Sequence, residues 1–354
     1  MLRRLIYILF LFSVSCIDPY KVEIEDGQQL VTIEGMVTTG PGPHVIKLTR
    51  SDTYGSVFEG LIRPVQGATM IVRDDQGRVI FLEEDIEKRG SYATPDNFSA
   101  EIGRSYTLQI QLVTGEVYSS LPEKAESVPE IKNLTIETVQ IPVEGEILFR
   151  SGVQIYAEIE DPGDQMNFYF WRNAESTFIL ETRPDLYVDI QPNLPPRPAP
   201  KACCVSCYQT EKIGNNSIFI AQDENFNGLT TKIPVAFIED NGKRLVNTFR
   251  TDIRQISVTA KAYRFLKLVK QQTEISGSVF DPPPASIRGN MISLDNPDEA
   301  VLGYFMVGGE ARKRIYVKKT DLTFNQPSAI LPDDCRVFAG PNSTTPPADW
   351  NPND

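Results

Sequence analysis

Ala68-Thr69-Met70-Ile71-Val72-Arg73-Asp74-Asp75-Gln76-Gly77-Arg78-Val79-Ile80-Phe81-Leu82 decides the fold. Two runs of β-formers flank a turn that carries acids and a glycine, which is the composition of a hairpin. Similar runs recur on both sides. Upstream, Val31, Ile33 and Gly35 precede Met36-Val37-Thr38-Thr39, the turn Gly40-Pro41-Gly42-Pro43, and His44-Val45-Ile46-Lys47-Leu48-Thr49. Downstream come Gly90-Ser91-Tyr92-Ala93, then Tyr106 to Leu112, and Val117-Tyr118-Ser119 after a turn at Val113 to Glu116. Strands at this spacing with no helix between them predict a β-sandwich over residues 28–121.

Leu121-Pro122 to Pro129 is acidic and broken by proline, which marks a boundary. A second β-rich domain is expected over 130–338. Its strands are read at Ile131 to Ile136, Val153 to Ile159, Asn167 to Arg172, Ile218 to Ala221, Ile233 to Ile238 and Gln255 to Ala260. Val301 to Val307 and Arg314 to Lys318 read as two closing strands. One amphipathic helix is predicted near 261–276. Ala262, Phe265, Leu266 and Val269 follow an i, i+3, i+4, i+7 spacing, and Gly277 is its stop. The tail, 339–354, is rich in Pro, Asn, Asp and Thr and reads as loose. The fold class is therefore mainly β. The turn order of the first unit resembles a transthyretin-type or carboxypeptidase-regulatory-type sandwich, a likeness that carries no function.

The first fifteen residues read as an export signal. Met1-Leu2-Arg3-Arg4 is a short positive region, and Leu5 to Val14 is an uninterrupted apolar run too short to span a bilayer. Ser13-Val14-Ser15 then places small residues before Cys16, which resembles a bacterial lipoprotein signal. That pathway acylates the cysteine thiol and cuts the chain before it. Several acyl chains on one residue give stable membrane attachment, so Cys16 is the expected anchor. Residues 16–27 form a short acidic tether.

The chain of 354 residues carries 35 Lys and Arg against 47 Asp and Glu, a net charge of −12. Loss of Arg3 and Arg4 with the signal would leave a body of about −14 by the same counting. Such a balance argues against nucleic acid, whose phosphates need a basic face. One histidine excludes a multi-histidine metal site and deprives the chain of its commonest general acid and base.

Several pieces stand in one order. They are Cys16; Val31-Thr32-Ile33-Glu34-Gly35 with Gly42-Pro43-His44 to Ser51; Pro64-Val65-Gln66-Gly67-Ala68; a proline-rich loop running into a cysteine cluster over 192–207; Ala262-Tyr263-Arg264-Phe265-Leu266; Phe280-Asp281-Pro282-Pro283-Pro284; and Leu302-Gly303-Tyr304-Phe305. Together they resemble the Bacteroidota lipoprotein family called domain of unknown function 4249, over nearly all of the mature chain. The resemblance implies a surface-exposed or periplasm-facing outer-membrane protein that partners a TonB-dependent receptor. It supplies no catalytic motif and no cofactor.

The cysteines are the main candidates for covalent chemistry. With Cys16 acylated, Cys203, Cys204, Cys207 and Cys335 remain, an even number in an exported protein, which points to disulfides. Four cysteines permit three full pairings. A bond from the cluster to Cys335 is the preferred one, stapling the loop to the C-terminal segment. The rival is a four-thiolate zinc site, since Cys204-Val205-Ser206-Cys207 has the spacing for it; adjacent Cys203 and Cys204 make that ligation awkward. No thioredoxin-like βαβ pattern surrounds the C-x-x-C for a redox role.

Asp223-Glu224-Asn225-Phe226-Asn227-Gly228 begins like a calcium loop, but its twelfth position is Pro234 where a glutamate is needed. A tight acidic turn is the better reading, there and at Asp161 and Asp164. His44 reads as an exposed turn histidine. The acids Glu83-Glu84-Asp85 read as a solvated hairpin edge rather than a glycosidase pair. No metal and no cofactor are expected.

These readings converge on a non-enzymatic, lipid-anchored accessory protein of the outer membrane, which helps a TonB-dependent receptor capture or take up a ligand. The alternatives are a surface hydrolase acting on glycan or peptide, and a structural or adhesive surface lipoprotein.

Overall fold

A computed structural model describes residues 29–51, 63–142, 149–212, 217–274 and 287–353. The expected signal, tether and Cys16 lie outside these residues, as do Gly277 and the Pro282-Pro283-Pro284 loop.

The hairpin forms as read. Thr69–Asp74 pairs antiparallel with Val79–Glu84, Met70 opposite Leu82 and Val72 opposite Ile80. Those four side chains are buried while Arg73 and Phe81 face out, the alternation of a sheet with one wet face. The hairpin extends through Ser105–Gln111 and Val117–Ser120 to Met291–Ser293. On its other side Glu83 and Glu84 pair with Ala93 and Tyr92 of Ser91–Ala93. That short strand passes the sheet on to Val45–Arg50 and then to Val31–Thr38. The two halves share one core, in which Ile33, Ile46 and Leu48 meet Met70, Val72, Leu108 and Ile110.

A second core lies between two other sheets. One is the three-stranded sheet of Ile131–Pro142, Phe149–Glu160 and Thr230–Glu239. The other holds Phe168–Glu181, Ser206–Glu211 and Phe249–Ser257. Val153, Ile155 and Ile238 from the first pack with Tyr169, Trp171, Phe249 and Ile253 from the second. Trp171 is nearly fully buried, and its indole N–H donates to Gln255 Oε1 at 2.9 Å, as a buried indole requires.

The two expected closing strands are one. Leu302–Val317 runs unbroken for 16 residues and carries the sheet from one core to the other. Its first half pairs parallel with Val31–Thr38, from Thr32 opposite Leu302 to Thr38 opposite Gly308. Its second half pairs antiparallel with Phe249–Ser257, from Ser257 opposite Gly309 to Phe249 opposite Val317. Gly308 and Gly309 permit close approach rather than a turn: a Cβ on Gly308 would meet the Ser257 carbonyl oxygen at 2.1 Å. Gly303 does the same at a φ of +89°, with Ile33 O 1.8 Å from where its Cβ would be. Through this strand Phe305 and Val307 enter the first core, and Val317 enters the second.

The helix spans Ala260–Thr273, one residue earlier than read at its start. It lies on the outer face of the joined sheet, where Ala262 and Leu266 meet Met36, Phe170, Ile256, Tyr304 and Met306. The Thr259 side chain caps it by accepting from Ala262 N–H at 3.2 Å. The same hydroxyl donates to Glu123 at 2.6 Å, and Tyr304 O–H donates to the other oxygen of that buried carboxylate at 2.6 Å. Thr259→Ala is expected to lower unfolding stability by about 1–2 kcal/mol, measured by equilibrium denaturation, since it removes a cap and one partner of a buried acid.

The tail is docked rather than loose. Asn342–Ser343 pairs with Ser206–Glu211. The Trp350 ring stands edge-on to Tyr208 and Tyr316, and Asp349 pairs with Arg250 and Arg314 at 2.8 Å each. Its polar composition hid these few anchoring side chains.

Candidate functional site

Strand alternation turns Glu34, Met36 and Thr38 outward from Val31–Thr38. On Leu302–Val317 it turns out Met306, Glu310 and Arg312, and on the next two strands Arg254 and Arg172. The register then places Arg172 opposite Arg254, and Arg254 opposite Arg312. Three arginines thus stand side by side across three adjacent strands. Like charges directly opposite one another destabilise a sheet.

Glu310 partly offsets this cost. Its side chain is only 2% exposed. It accepts from Arg254 Nε at 2.9 Å, Arg312 Nη2 at 2.8 Å and the Thr38 hydroxyl at 2.6 Å. Burial by itself would raise this carboxyl; the hydrogen bonds and charge of Arg254, with Thr38 and Arg312, pull it down to about 2. Arg172 has no carboxylate within ion-pair distance among the described residues. Its nearest aromatic contact is the Phe170 ring, 6.0 Å from the guanidinium carbon. Lost hydration lowers its pKa, and Arg254 adds to that against the opposing charge of Glu34.

This ladder lines a cleft of about 700 Å³ at the seam between the two cores. Its walls carry five cations, with Lys47 and Lys212 joining the arginines, against the two carboxylates of Glu34 and Glu175. Met36 and Met306 give it an apolar patch beside the helix-covered core. A surplus of cations concentrated in one cleft of an acidic chain is a local field, which net charge does not report.

His44 is in the wall of this cleft and is not the exposed turn residue expected from its position after Pro43. It is 4% exposed. Its backbone N–H donates to the Thr94 hydroxyl at 2.9 Å, and its ring stands edge-on to Phe98. Nε2 is buried without a hydrogen-bond partner. Burial, then the Arg254 charge, lowers its pKa below the ordinary 6.5, so the ring is neutral at pH 7.

The sequence candidates lie elsewhere. Cys207 and Cys335 form a disulfide, Cα atoms 5.7 Å apart, with both cysteines fully buried in the second core. Cys203 and Cys204 remain thiols, the first exposed. The staple from the cluster to the C-terminal segment is thus present, carried by Cys207. Asp223 and Asp161 both prove buried, and they share one site. Asp223 accepts from Asn167 N–H at 2.7 Å; Asp161 accepts from the Tyr169 hydroxyl and from Gly228 N–H at 3.2 Å. Burial raises the Asp161 carboxyl against these bonds. Among the described residues, no group of three or more His, Cys, Asp or Glu is placed to hold a metal ion. Glu84, far from being a solvated edge acid, accepts from Gly67 N–H at 2.8 Å and Gly90 N–H at 3.1 Å.

Sequence reasoning passed over Arg172, Arg254, Glu310 and Arg312. Each sits at an outward position of a strand, where a charge reads as ordinary solvent contact. Only the alignment of strands distant in sequence makes them a ladder.

Comparison with curated proteins and with solved structures gives no match. The family model described as "Domain of unknown function (DUF4249)" matches residues 17–314, and the chain belongs to that family.

Proposed function

We propose that this protein is a non-enzymatic, lipid-anchored accessory protein of the outer membrane, holding a ligand for a TonB-dependent receptor. The observation that carries the binding role is the cleft at the seam, whose groups attract charge but include no nucleophile paired with a base. Its lone imidazole is neutral and enclosed. A cavity of this size with a few convergent polar groups matches the dimensions of a small-molecule site. The anchor at Cys16 and the receptor as partner rest on the signal layout and on the lipoprotein family resemblance. Tethering raises the effective concentration of captured ligand beside a receptor on the same surface, without any new contact.

The test is affinity isolation of the tagged full chain from detergent-solubilised membranes of its own cells. A receptor barrel is expected to co-purify with the wild type and to fall sharply with Cys16→Ala. Recovery of the protein without any barrel would sink the reading.

A further inference from the structure

We propose that the Arg172–Arg254–Arg312 ladder is a binding site for an oxyanion group, carboxylate, sulfate or phosphate, carried by the ligand of the cleft. The inference rests on the cleft being a ligand site and adds the chemical class of what it holds.

Two observations converge. First, the register sets three guanidiniums in a row, and one buried carboxylate serves two of them. Glu310 is already engaged by Arg254, Arg312 and Thr38, which leaves Arg172 the arginine of the ladder without a carboxylate partner. A second anion between Arg172 and Arg254 would relieve a like-charge contact that the fold otherwise keeps. Second, the guanidinium is a planar fork of N–H donors that matches the oxygens of a carboxylate, sulfate or phosphate, and it does so best where water is thinned. Arg172 is an exposed residue that lines the cleft, so its fork of donors is accessible to such a group. Met36 and Met306 beside the ladder offer adaptable apolar surface to whatever adjoins the charged group.

Lys47 is offset by Glu34 at 3.8 Å, an exposed pair at the rim. Among the described residues neither Arg172 nor Lys212 has an ion-pair partner, so the charge that is not offset lies at the ladder and at Lys212 of the same cleft. This distribution favours a compact anionic group over an extended polyanion, which would need a basic stripe on a protein that is acidic overall.

The experiment uses the full chain in a neutral detergent and isothermal titration calorimetry. The probes are inorganic sulfate, inorganic phosphate, hexanoate and hexyl sulfate, each against sodium chloride at matched ionic strength. Saturable binding of at least one probe is expected in the wild type, weakened roughly ten- to a hundredfold by Arg172→Ala and less by Arg172→Lys. The variants Arg172→Ala and Arg197→Ala remove the same charge, the second from an exposed pair with Asp189; only the first should weaken binding. Melting of unliganded Arg172→Ala should be no lower than wild type, because the substitution removes repulsion, so lost binding is separable from lost fold. Tighter hexyl sulfate than sulfate supports a ligand with an apolar body, and equal affinities support a free ion; both keep the site. Equal binding by wild type and Arg172→Ala, or no saturable binding of any probe, overturns it. Receptor co-isolation of Arg172→Ala separates this inference from the partner reading: a variant that loses the anion and keeps the barrel leaves both intact.

Discussion

Glu310→Gln is expected to destabilise the protein by about 3–5 kcal/mol, the cost of removing one partner from a buried charge cluster. The glutamine keeps the shape but leaves Arg254 and Arg312 facing each other across adjacent strands with no counter-charge between them. Thr38 would also lose its charged acceptor. Chemical denaturation at pH 7 measures the loss. Sulfate should restore more stability to this variant than to the wild type, since it supplies the missing negative charge to the same guanidiniums. A variant as stable as wild type would show that the cluster costs as much as it contributes.

The same carboxylate sets an acid dependence. Its folded pKa of about 2 lies below the ordinary 4.5, so its contribution is present above pH 4.5 and is lost as pH falls towards 2. The full size is about 3 kcal/mol. The stability gap between wild type and Glu310→Gln should therefore be constant above about pH 6.5 and shrink as pH falls from 4.5 towards 2. Other buried groups also titrate in the acid range, among them Asp161, raised by burial, and Asp334, lowered by its hydrogen bond with Arg336. His44 has its folded pKa lowered, so stability also falls as pH drops below 6.5. Glu123 has its carboxyl raised by burial, so its contribution is present below 4.5 and fades as pH rises through the raised value. The buried carboxyl groups are common to wild type and variant and cancel in the difference; His44 cancels only above pH 6.5, because Glu310 raises its pKa and the variant loses that effect.

Cys335→Ser is expected to cost about 2–5 kcal/mol, measured by the same denaturation. The disulfide to Cys207 spans 128 positions, for which loop-closure entropy gives about 5 kcal/mol as an upper figure. Both sulfurs are buried among the side chains of the second core, so the serine also places a hydroxyl in an apolar site. Reduced wild type should lose most of the same stability, with Cys335→Ser unfolding at a slightly lower denaturant concentration because of its buried hydroxyl. Cys203→Ser with Cys204→Ser should stay within about 0.5 kcal/mol of wild type, because neither thiol is bonded in the fold. Equal stability of Cys335→Ser and wild type under oxidising conditions would refute the stapling role.

Much of the secondary structure was legible because its signals are local. The hairpin of 69–84 is written in alternating side chains around an acidic glycine turn. The helix is written in the stripe of Ala262 and Leu266, which is buried. Both depend on neighbours within one or two turns of chain. The joining of Val301 to Val307 with Arg314 to Lys318 was missed because Gly308 and Gly309 carry the signature of a break. Their role is to admit the Ser257 and Glu126 backbones. The docked tail was missed because Trp350 and Asp349 are anchors only in the presence of Tyr208, Tyr316, Arg250 and Arg314.

The sequence by itself determined a mainly β chain with one amphipathic helix, and a cysteine set that could close one long loop. Periodicity and turn chemistry suffice for that, since they act over a few residues. The tertiary structure decided which thiol meets Cys335 and that His44 is enclosed. It also decided that three arginines separated by up to 140 positions stand in one row. Those outcomes follow from pairings such as Val31–Thr38 with Leu302–Gly308, where register is set by burying one face of each strand against a shared core. An overall charge of −12 gave no hint of the cationic cleft, because a sum over the chain discards where the charges lie.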